Sequence, residues 1–459
     1  MKVLSISASL IVAVLWMGSI ASAQVAPNNF GWQCGPSKNT NCPNVRAPQN
    51  QLPSDLPYTL RMHDTQTWWS QLETSNNGYD NNAIQYLDGY IDSIAALERQ
   101  GHPHYVIFTF SHVPCWAEQS PCTNTAPPTD NTYFLSFVEW LATHQTSGGN
   151  IVGQYVQAYE MWNEWNGYST KNGYTYWSGT PQQLHDMLQP AAAYLKTLVP
   201  RPVIIMPSTT PLAKLNYQTD FTTWLGLDNF SDAVNWHLYL SNLGSGPASN
   251  TPEVQWAYGQ TFLNLQNGTT WAGRPFVDSE TNFTGQPLGY ICPSDYDAND
   301  CTGQIVRWQL MHVFNGGAGL FWYYGNTTIG NCNGFCSPAN PTSYDTAYNA
   351  LAGYLNGATN LTPCAINTTI TNASGTYQVW NCFFTEGTGG TGHQVAAFVW
   401  ACLQNSSGAC GPTPSTSTVK IPLTNPPYVD YRDLTDTTVH NIQGTQQITI
   451  GALPILVEE

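Results

Sequence analysis

A chain of 459 residues with 9% charged and 13% aromatic side chains and a formal charge of −16 is poor in ions, rich in rings and acidic. Such a surface repels phosphate backbones and anionic headgroups, so neither nucleic acid nor a membrane surface is expected as a partner. A neutral ligand that stacks on aromatic faces fits better, and the length calls for one large domain and one small one.

The chain opens with Met1-Lys2, a largely apolar run over 3–20, and Ala21-Ser22-Ala23 before Gln24, the pattern of a secretory signal peptide spanning 1–23. The expectation is export of a soluble mature chain, outside the cell or in a periplasm. All twelve cysteines follow this segment, and an even number in an exported chain points to disulfides. Their spacing pairs neighbours: Cys34–Cys42, Cys115–Cys122, Cys292–Cys301, Cys332–Cys336, Cys364–Cys382 and Cys402–Cys410. No Cys/His grouping has the spacing of a structural zinc site, and neither a metal nor an organic cofactor is expected.

From 28 to about 357, β-rich runs alternate with helical ones. Strands are expected at 30–32, 58–63, 104–110, 155–160, 202–206, 233–237, 275–280 and 319–323. Helical periodicity occupies 82–100, 132–144, 181–198, 219–227, 252–266, 303–315 and 343–355. Eight strands alternating with helices predict a (β/α)8 TIM barrel over 24–357, whose chemistry sits at the C-terminal ends of the strands. After 357 the helical period disappears. Strand-like runs at 377–384, 394–401, 418–421, 428–433, 447–450 and 454–457, separated by Gly/Ser/Thr/Asn turns, predict a C-terminal antiparallel β-sandwich domain over 358–459.

Polar groups gather at the expected strand ends. An Asn163-Glu164 pair follows strand four among tryptophans, and Glu280 ends strand seven. Alone, the Asn-Glu pair is more simply a solvated loop entry. Across a barrel mouth, however, strands four and seven face each other, and retaining glycoside hydrolysis needs two carboxyls roughly 5–5.5 Å apart. Arg61 ends strand two, His112 follows strand three, His237 and Tyr239 end strand six and Trp322 ends strand eight. A guanidinium beside one carboxylate keeps it ionised, and Tyr239 is placed to donate to the same group. Asn163 is read as a ligand of the sugar 2-hydroxyl, Trp322 as a stacking floor, and Trp162 and Trp165 as walls. Glu160, of the same strand parity as Glu164, is read as a buried structural carboxylate paired with an arginine. Nothing sets Glu73 and Glu118 apart from solvated loop charges.

Trp162-Asn163-Glu164, Val277-Asp278-Ser279-Glu280 and His237-Leu238-Tyr239 resemble the motifs of clan A glycoside hydrolases. Leu60-Arg61-Met62-His63-Asp64 and Val113-Pro114-Cys115-Trp116-Ala117 are most similar to glycoside hydrolase family 39 within it. The resemblance implies a retaining (β/α)8 enzyme with Glu164 as acid/base and Glu280 as nucleophile, acting without cofactor on a carbohydrate of the xylosidase, xylanase or glucanase kind. The alternative is a non-catalytic carbohydrate-binding protein on the same scaffold, against which the paired carboxylates argue. Transglycosylation by the same site differs only in how water competes. Sugar, linkage, exo or endo action and oligomeric state are not written in the sequence. Of eight N-x-S/T sequons, those at Asn282 and Asn326 lie by the expected mouth and are expected to be unmodified.

Overall fold

The computed structural model describes residues 30–33, 59–63, 65–118, 121–169, 173–211, 217–239, 251–281, 298–323, 343–387, 395–411, 413, 417–422, 428–435, 438–442 and 447–459. The segment 1–23, the sequons at Asn282 and Asn326, and the loops 34–56 and 325–342 fall outside them, as do Cys34, Cys42, Cys292, Cys332 and Cys336.

The first part of the chain alternates strands and helices in this order: β1 (Phe30–Gln33), β2 (Thr59–Met62), α1 (Asn81–Arg99), β3 (Tyr105–Thr109), α2 (Thr132–Thr143), β4 (Ala158–Glu160), α3 (Pro181–Leu195), β5 (Val203–Ile205), α4 (Tyr217–Leu227), β6 (Val234–Trp236), α5 (Pro252–Asn267), β7 (Phe276–Thr281), α6 (Ala298–Phe314), β8 (Gly317–Tyr323) and α7 (Ser343–Leu355). All eight strands are parallel and lie in one sheet in the order β6-β7-β8-β1-β2-β3-β4-β5. Its two edges meet in the parallel bridges Ile205–Ala233 and Thr209–Trp236. Ile107, Ala158, Ile205, Ala233 and Val277, one from each of β3 to β7 or the residue before it, form an apolar cluster on one face. The opposite face packs on the helices through a larger core that includes Leu60, Phe108, Tyr159, Ile204 and Trp236.

Local chemistry accounts for the helices. In α1, Asp80 accepts the backbone N–H groups of Asn82 and Ala83 at 2.8 and 2.9 Å, capping the helix start. Ala83, Leu87, Ile91 and Ile94 then bury one stripe. In α3, Thr180 and Gln183 form a reciprocal capping box with Pro181 in the first turn. One expectation needs correction. The strand placed at 155–160 begins only at Ala158, because Val152–Tyr155 closes as a helical turn through Val156 N–H on Val152 C=O at 3.2 Å.

The second part is built from β9 (Ala365–Asn372), β10 (Gly375–Phe384), β11 (Ala396–Leu403), β12 (Val419–Pro422), β13 (Asp430–Asp433), β14 (Val439–Asn441), β15 (Gln447–Ile450) and β16 (Ile455–Glu458). They form an antiparallel sheet ordered β9-β10-β11-β16-β13-β14 and a two-stranded sheet of β12 and β15. Alternate residues of β11 serve two cores. Ala397, Val399 and Ala401 face Val419, Ile421, Ile448 and Ile450 of the small sheet. Ala396, Phe398 and Trp400 join the core of the first part, where Phe398 meets Phe314 of α6. A strand covered on both faces reads as a continuous apolar run, which is why 396–403 shows no alternation.

Three of the expected cysteine pairs lie among the described residues, and all three are bonded: Cys115–Cys122, Cys364–Cys382 and Cys402–Cys410. No helix among the described residues is long and apolar enough to cross a membrane.

Candidate active site

The C-terminal ends of β2, β4, β6 and β7 bring four polar side chains, Glu160, Asn163, Tyr239 and Glu280, together around the Arg61 guanidinium. Arg61, fully buried, donates through Nε to Glu160 Oε2 at 2.7 Å and through Nη2 to Glu160 Oε1 at 3.0 Å. The same Nη2 reaches Asn163 Oδ1 at 2.6 Å, while Nη1 reaches Glu280 Oε2 at 2.7 Å. This planar fork holds two carboxylates and an amide in fixed directions, which a lysine ammonium would not do. The other oxygen of Glu280 accepts the Tyr239 hydroxyl.

The alternation of β6 continues past Trp236 and explains the position of Tyr239. Asn235, His237 and Tyr239 share one face, and Val234, Trp236 and Leu238 pack into the helical side. Glu280 does not follow that rule. Val277 and Ser279 point to the strand-lined face, so simple alternation sends Glu280 to the helices. A register irregularity between Asp278 and Thr281 turns it back, as bulges commonly do at active sites. Outside β7, the bulge is braced on both sides. Asp278 accepts Leu238 N–H at 3.2 Å and His312 Nε2 lies 3.1 Å from it, while Thr281 donates to Leu238 C=O at 2.6 Å.

Glu164 is turned inward differently. Its φ of 37° lies in the left-handed region, which costs a non-glycine residue on the order of 1–3 kcal/mol. Ser208 compensates by accepting its N–H at 2.8 Å, and Gly167 N–H closes the turn on Glu164 C=O at 2.7 Å. The Glu164 carboxylate then meets His237 Nδ1 at 3.0 Å. His237 Nε2 lies 2.9 Å from Ser279 Oγ and 3.7 Å from Glu160 Oε1.

The three carboxylates differ in access. The Glu164 and Glu280 side chains are 14% and 10% exposed, but Glu160 is at 0% and also accepts the Thr109 hydroxyl at 2.9 Å. Burial pushes the Glu160 carboxyl up, yet the Arg61 pair and His237 outweigh it and hold it well below the usual carboxylate range. Burial works against the charge of Arg61, and Glu160 and Glu280 together overcome it and raise the guanidinium further. For His237 burial also opposes the charge, and hydrogen bonding to Glu160 and Glu164 with the field of Glu280 lifts it to about 9. One oxygen each of Glu164 and Glu280 and one ring nitrogen of His237 lie within 4.8 Å of one another. These are also possible metal donors, but both Glu280 oxygens already have donors, the Arg61 guanidinium at 2.7 Å on one and the Tyr239 hydroxyl on the other. In a second donor group, Glu253 with Cys402 and Cys410, the two sulfurs are joined to each other.

The remaining expected site residues distribute as follows. His112, itself at φ 56°, stacks on Trp68 with ring centres 4.1 Å apart, meets Tyr176 edge-on, and shares Ser111 Oγ with His63. Trp322 lies in β8 in register with Trp32, and its side chain is outside the described residues. Trp162 and Trp165 are not walls. The chain leaves strand geometry after Glu160, so Trp162 turns outward, packs on Phe134 and Trp177, and donates to Tyr176 C=O. Trp165 packs on Trp224 and is 5% exposed. Glu73 and Glu118 are not solvated charges either: Glu73 accepts Trp69 Nε1 and Asn77 N–H, and Glu118 accepts three loop N–H groups, of Thr123, Asn124 and Ala126. Ser208, Ser279 and Thr109 were not foreseen, since an isolated hydroxyl carries no spacing signal.

This fold is shared with solved glycoside hydrolases. A family 51 α-L-arabinofuranosidase from Bifidobacterium longum superposes with a TM-score of 0.55 at 11% identity, over 97% of this chain and 98% of that one. The GH39 enzyme from Xanthomonas axonopodis pv. citri gives 0.52 at 14% identity over 95% of each chain. A monomeric β-xylosidase from Caulobacter crescentus gives 0.52 at 16% identity, over 87% of this chain and 89% of the other. No protein-family model matches the chain, and no curated protein matches it by sequence.

Proposed function

We propose that the protein is an exported retaining glycoside hydrolase, with Glu280 as nucleophile and Glu164 as acid/base, acting on plant or microbial polysaccharide or oligosaccharide of the xylosidase, xylanase or glucanase kind. The observation that carries this reading is the opposed carboxylate pair. Its nearest oxygens are no more than 4.8 Å apart, a spacing of the retaining class, whereas inverting enzymes keep about 6.5–9.5 Å for a water.

The same reading takes the parallel sheet as a closed (β/α)8 barrel over 24–357 and the two antiparallel sheets as a β-sandwich domain over 358–459. The bridges joining the sheet edges and the cluster formed by β3 to β7 support closure.

In the first step a Glu280 oxygen bonds to the anomeric carbon as the glycosidic C–O bond breaks, and the Glu164 proton passes to the departing oxygen. Arg61 and Tyr239 orient the Glu280 carboxylate. Both release their hold in part as its charge is lost to the ester, so their effect falls on reactivity as well as position. In the second step water gives its proton to Glu164, its oxygen bonds to the anomeric carbon, and the ester bond returns its electron pair to Glu280. Asn163, its Oδ1 taken by Arg61, keeps its amide N–H groups for a sugar hydroxyl.

The test is turnover of aryl β-xyloside, β-glucoside and α-arabinofuranoside by wild type and Glu280→Ala. The expected loss is on the order of 10⁴-fold or more, with azide restoring turnover of a β-glycoside as the inverted α-glycosyl azide. Glu280→Ala that matches wild type on every hydrolysed substrate removes the nucleophile assignment. A chain that binds these sugars without turning any over is the non-catalytic alternative.

A further inference from the structure

The cluster holds one carboxylate and one imidazole more than a two-carboxylate displacement requires. Glu160 is sealed from solvent at 0% exposure and is committed to Arg61 and Thr109. His237 is equally sealed, with Glu164 on one nitrogen and Ser279 and Glu160 on the other. A reason for both emerges from following the charge.

As the glycosyl-enzyme forms, one negative charge disappears from Glu280 and one appears on Glu164. Each end of this transfer has its own cation position. Arg61 Nη1 is 2.7 Å from Glu280, and His237 Nδ1 is 3.0 Å from Glu164. Glu160 sits between them, 2.7 Å from Arg61 Nε and 3.7 Å from His237 Nε2. We propose that His237 remains an imidazolium through both half-reactions and that Glu160 is the fixed counter-anion that keeps it charged, so that the two act as positioning residues for the charge that passes between Glu280 and Glu164. This rests on the retaining reading above.

With His237 charged, the cluster is neutral at rest: Arg61 and His237 balance Glu160 and Glu280, and Glu164 carries its proton. It is neutral again in the glycosyl-enzyme, where Glu160 and Glu164 are the anions and Glu280 is an ester. With a neutral His237 both states carry an uncompensated negative charge in a largely buried site, where such an imbalance is costly. A neutral ring protonated on Nδ1 takes the Ser279 hydroxyl on Nε2 at 2.9 Å and gives Glu160 Oε1, 3.7 Å away, neither a proton nor a charge. The charged and titratable groups around the ring are Glu160 from β4 and Glu164 from the turn after it, Glu280 and Asp278 from β7, Arg61 from β2 acting through Glu160, and Tyr239, two residues further along the segment that follows β6.

The experiment is a ¹⁵N titration of the histidine ring nitrogens in the intact protein without substrate, the His237 signals being those lost in His237→Gln. Both nitrogens are expected to be protonated at about pH 7–8, well above the usual histidine range. In Glu160→Gln the His237 transition should fall by about 1–3 pH units, and the alkaline limb of kcat/KM should move down with it. A neutral ring in wild type at about pH 7 overturns the proposal. So does a Glu160→Gln protein in which His237 titrates as in wild type. If Glu160→Gln does not fold, the wild-type titration decides by itself. Because the titration needs no turnover, a cationic His237 in an inactive protein refutes the hydrolase reading and leaves the charge assignment standing.

Discussion

The opposite shifts of Glu160 and His237 make stability depend on pH in a way that can be worked out in advance. His237 titrates at about 9 in the fold against an ordinary 6.5. At about 1.4 kcal/mol per pH unit, the preference of the folded state for the charged ring is on the order of 3 kcal/mol. A raised histidine binds its proton more tightly folded than unfolded. Its contribution is therefore complete below about pH 6.5 and is lost as pH rises toward about 9. Glu160 has the reverse sign: held below its ordinary 4.5, it contributes above that value and its contribution is lost as pH falls further. Between about pH 4.5 and 6.5 both contributions are present, against a total of roughly 5–15 kcal/mol for a typical fold. The perturbation is His237→Gln, and the assay is urea unfolding followed by tryptophan fluorescence for both proteins from about pH 5.5 to 10. The stability gap between them should be constant up to about pH 6.5, shrink steadily above it, and stop changing beyond about pH 9.5. A gap of unchanged size across the whole range refutes the reasoning, because it leaves His237 with no proton linkage to folding.

Arg61→Lys keeps the positive charge and loses the fork that holds Glu160, Asn163 and Glu280 together. Losing one charge-assisted hydrogen bond to Glu280 is worth about 1.5–3 kcal/mol, so kcat on an aryl glycoside should fall about 10- to 100-fold; an unchanged kcat contradicts the positioning role. Phe398→Ala removes a fully buried ring stacked on Phe384 and edge-on to Phe314, and should cost about 3–5 kcal/mol in urea unfolding. A cost below about 1 kcal/mol would show that the second sheet does not share the first part's core.

The sequence carried the fold further than the site. All eight strands overlap their expected segments, five lying wholly inside them and β1, β7 and β8 running one or two residues past, because buried parallel strands are short apolar runs between helices with clear periodicity. The edge strand Ala365–Asn372 was missed because it is almost wholly exposed and its Ile-Asn-Thr-Thr-Ile-Thr pattern has no apolar face to detect. The pairing of Glu160 with an arginine was legible, since strand parity places it inside and a buried carboxylate needs a cation. The same parity misplaced Trp162, because the strand ends at Glu160 and the next residues no longer alternate. Glu280 was assigned to the mouth as a strand-end residue, but nothing in Val277-Asp278-Ser279-Glu280 marks the irregularity that turns it there. Backbone register is set by tertiary partners, here Leu238, His312 and Trp308.

That irregularity in β7 also sets how the protein tolerates change in length. Elsewhere in the sheet, inserting or deleting two residues preserves which side chains look inward. At 278–281 the inward positions are consecutive, so even a change that respects the strand's two-residue rhythm exchanges Glu280 for a neighbour. The braces from Leu238 and α6 are keyed to Asp278 and Thr281 individually. The spacing from Asp278 to Thr281 therefore behaves as a single indivisible unit in which the order of residues, and not their hydrophobic pattern, sets where the Glu280 carboxylate points.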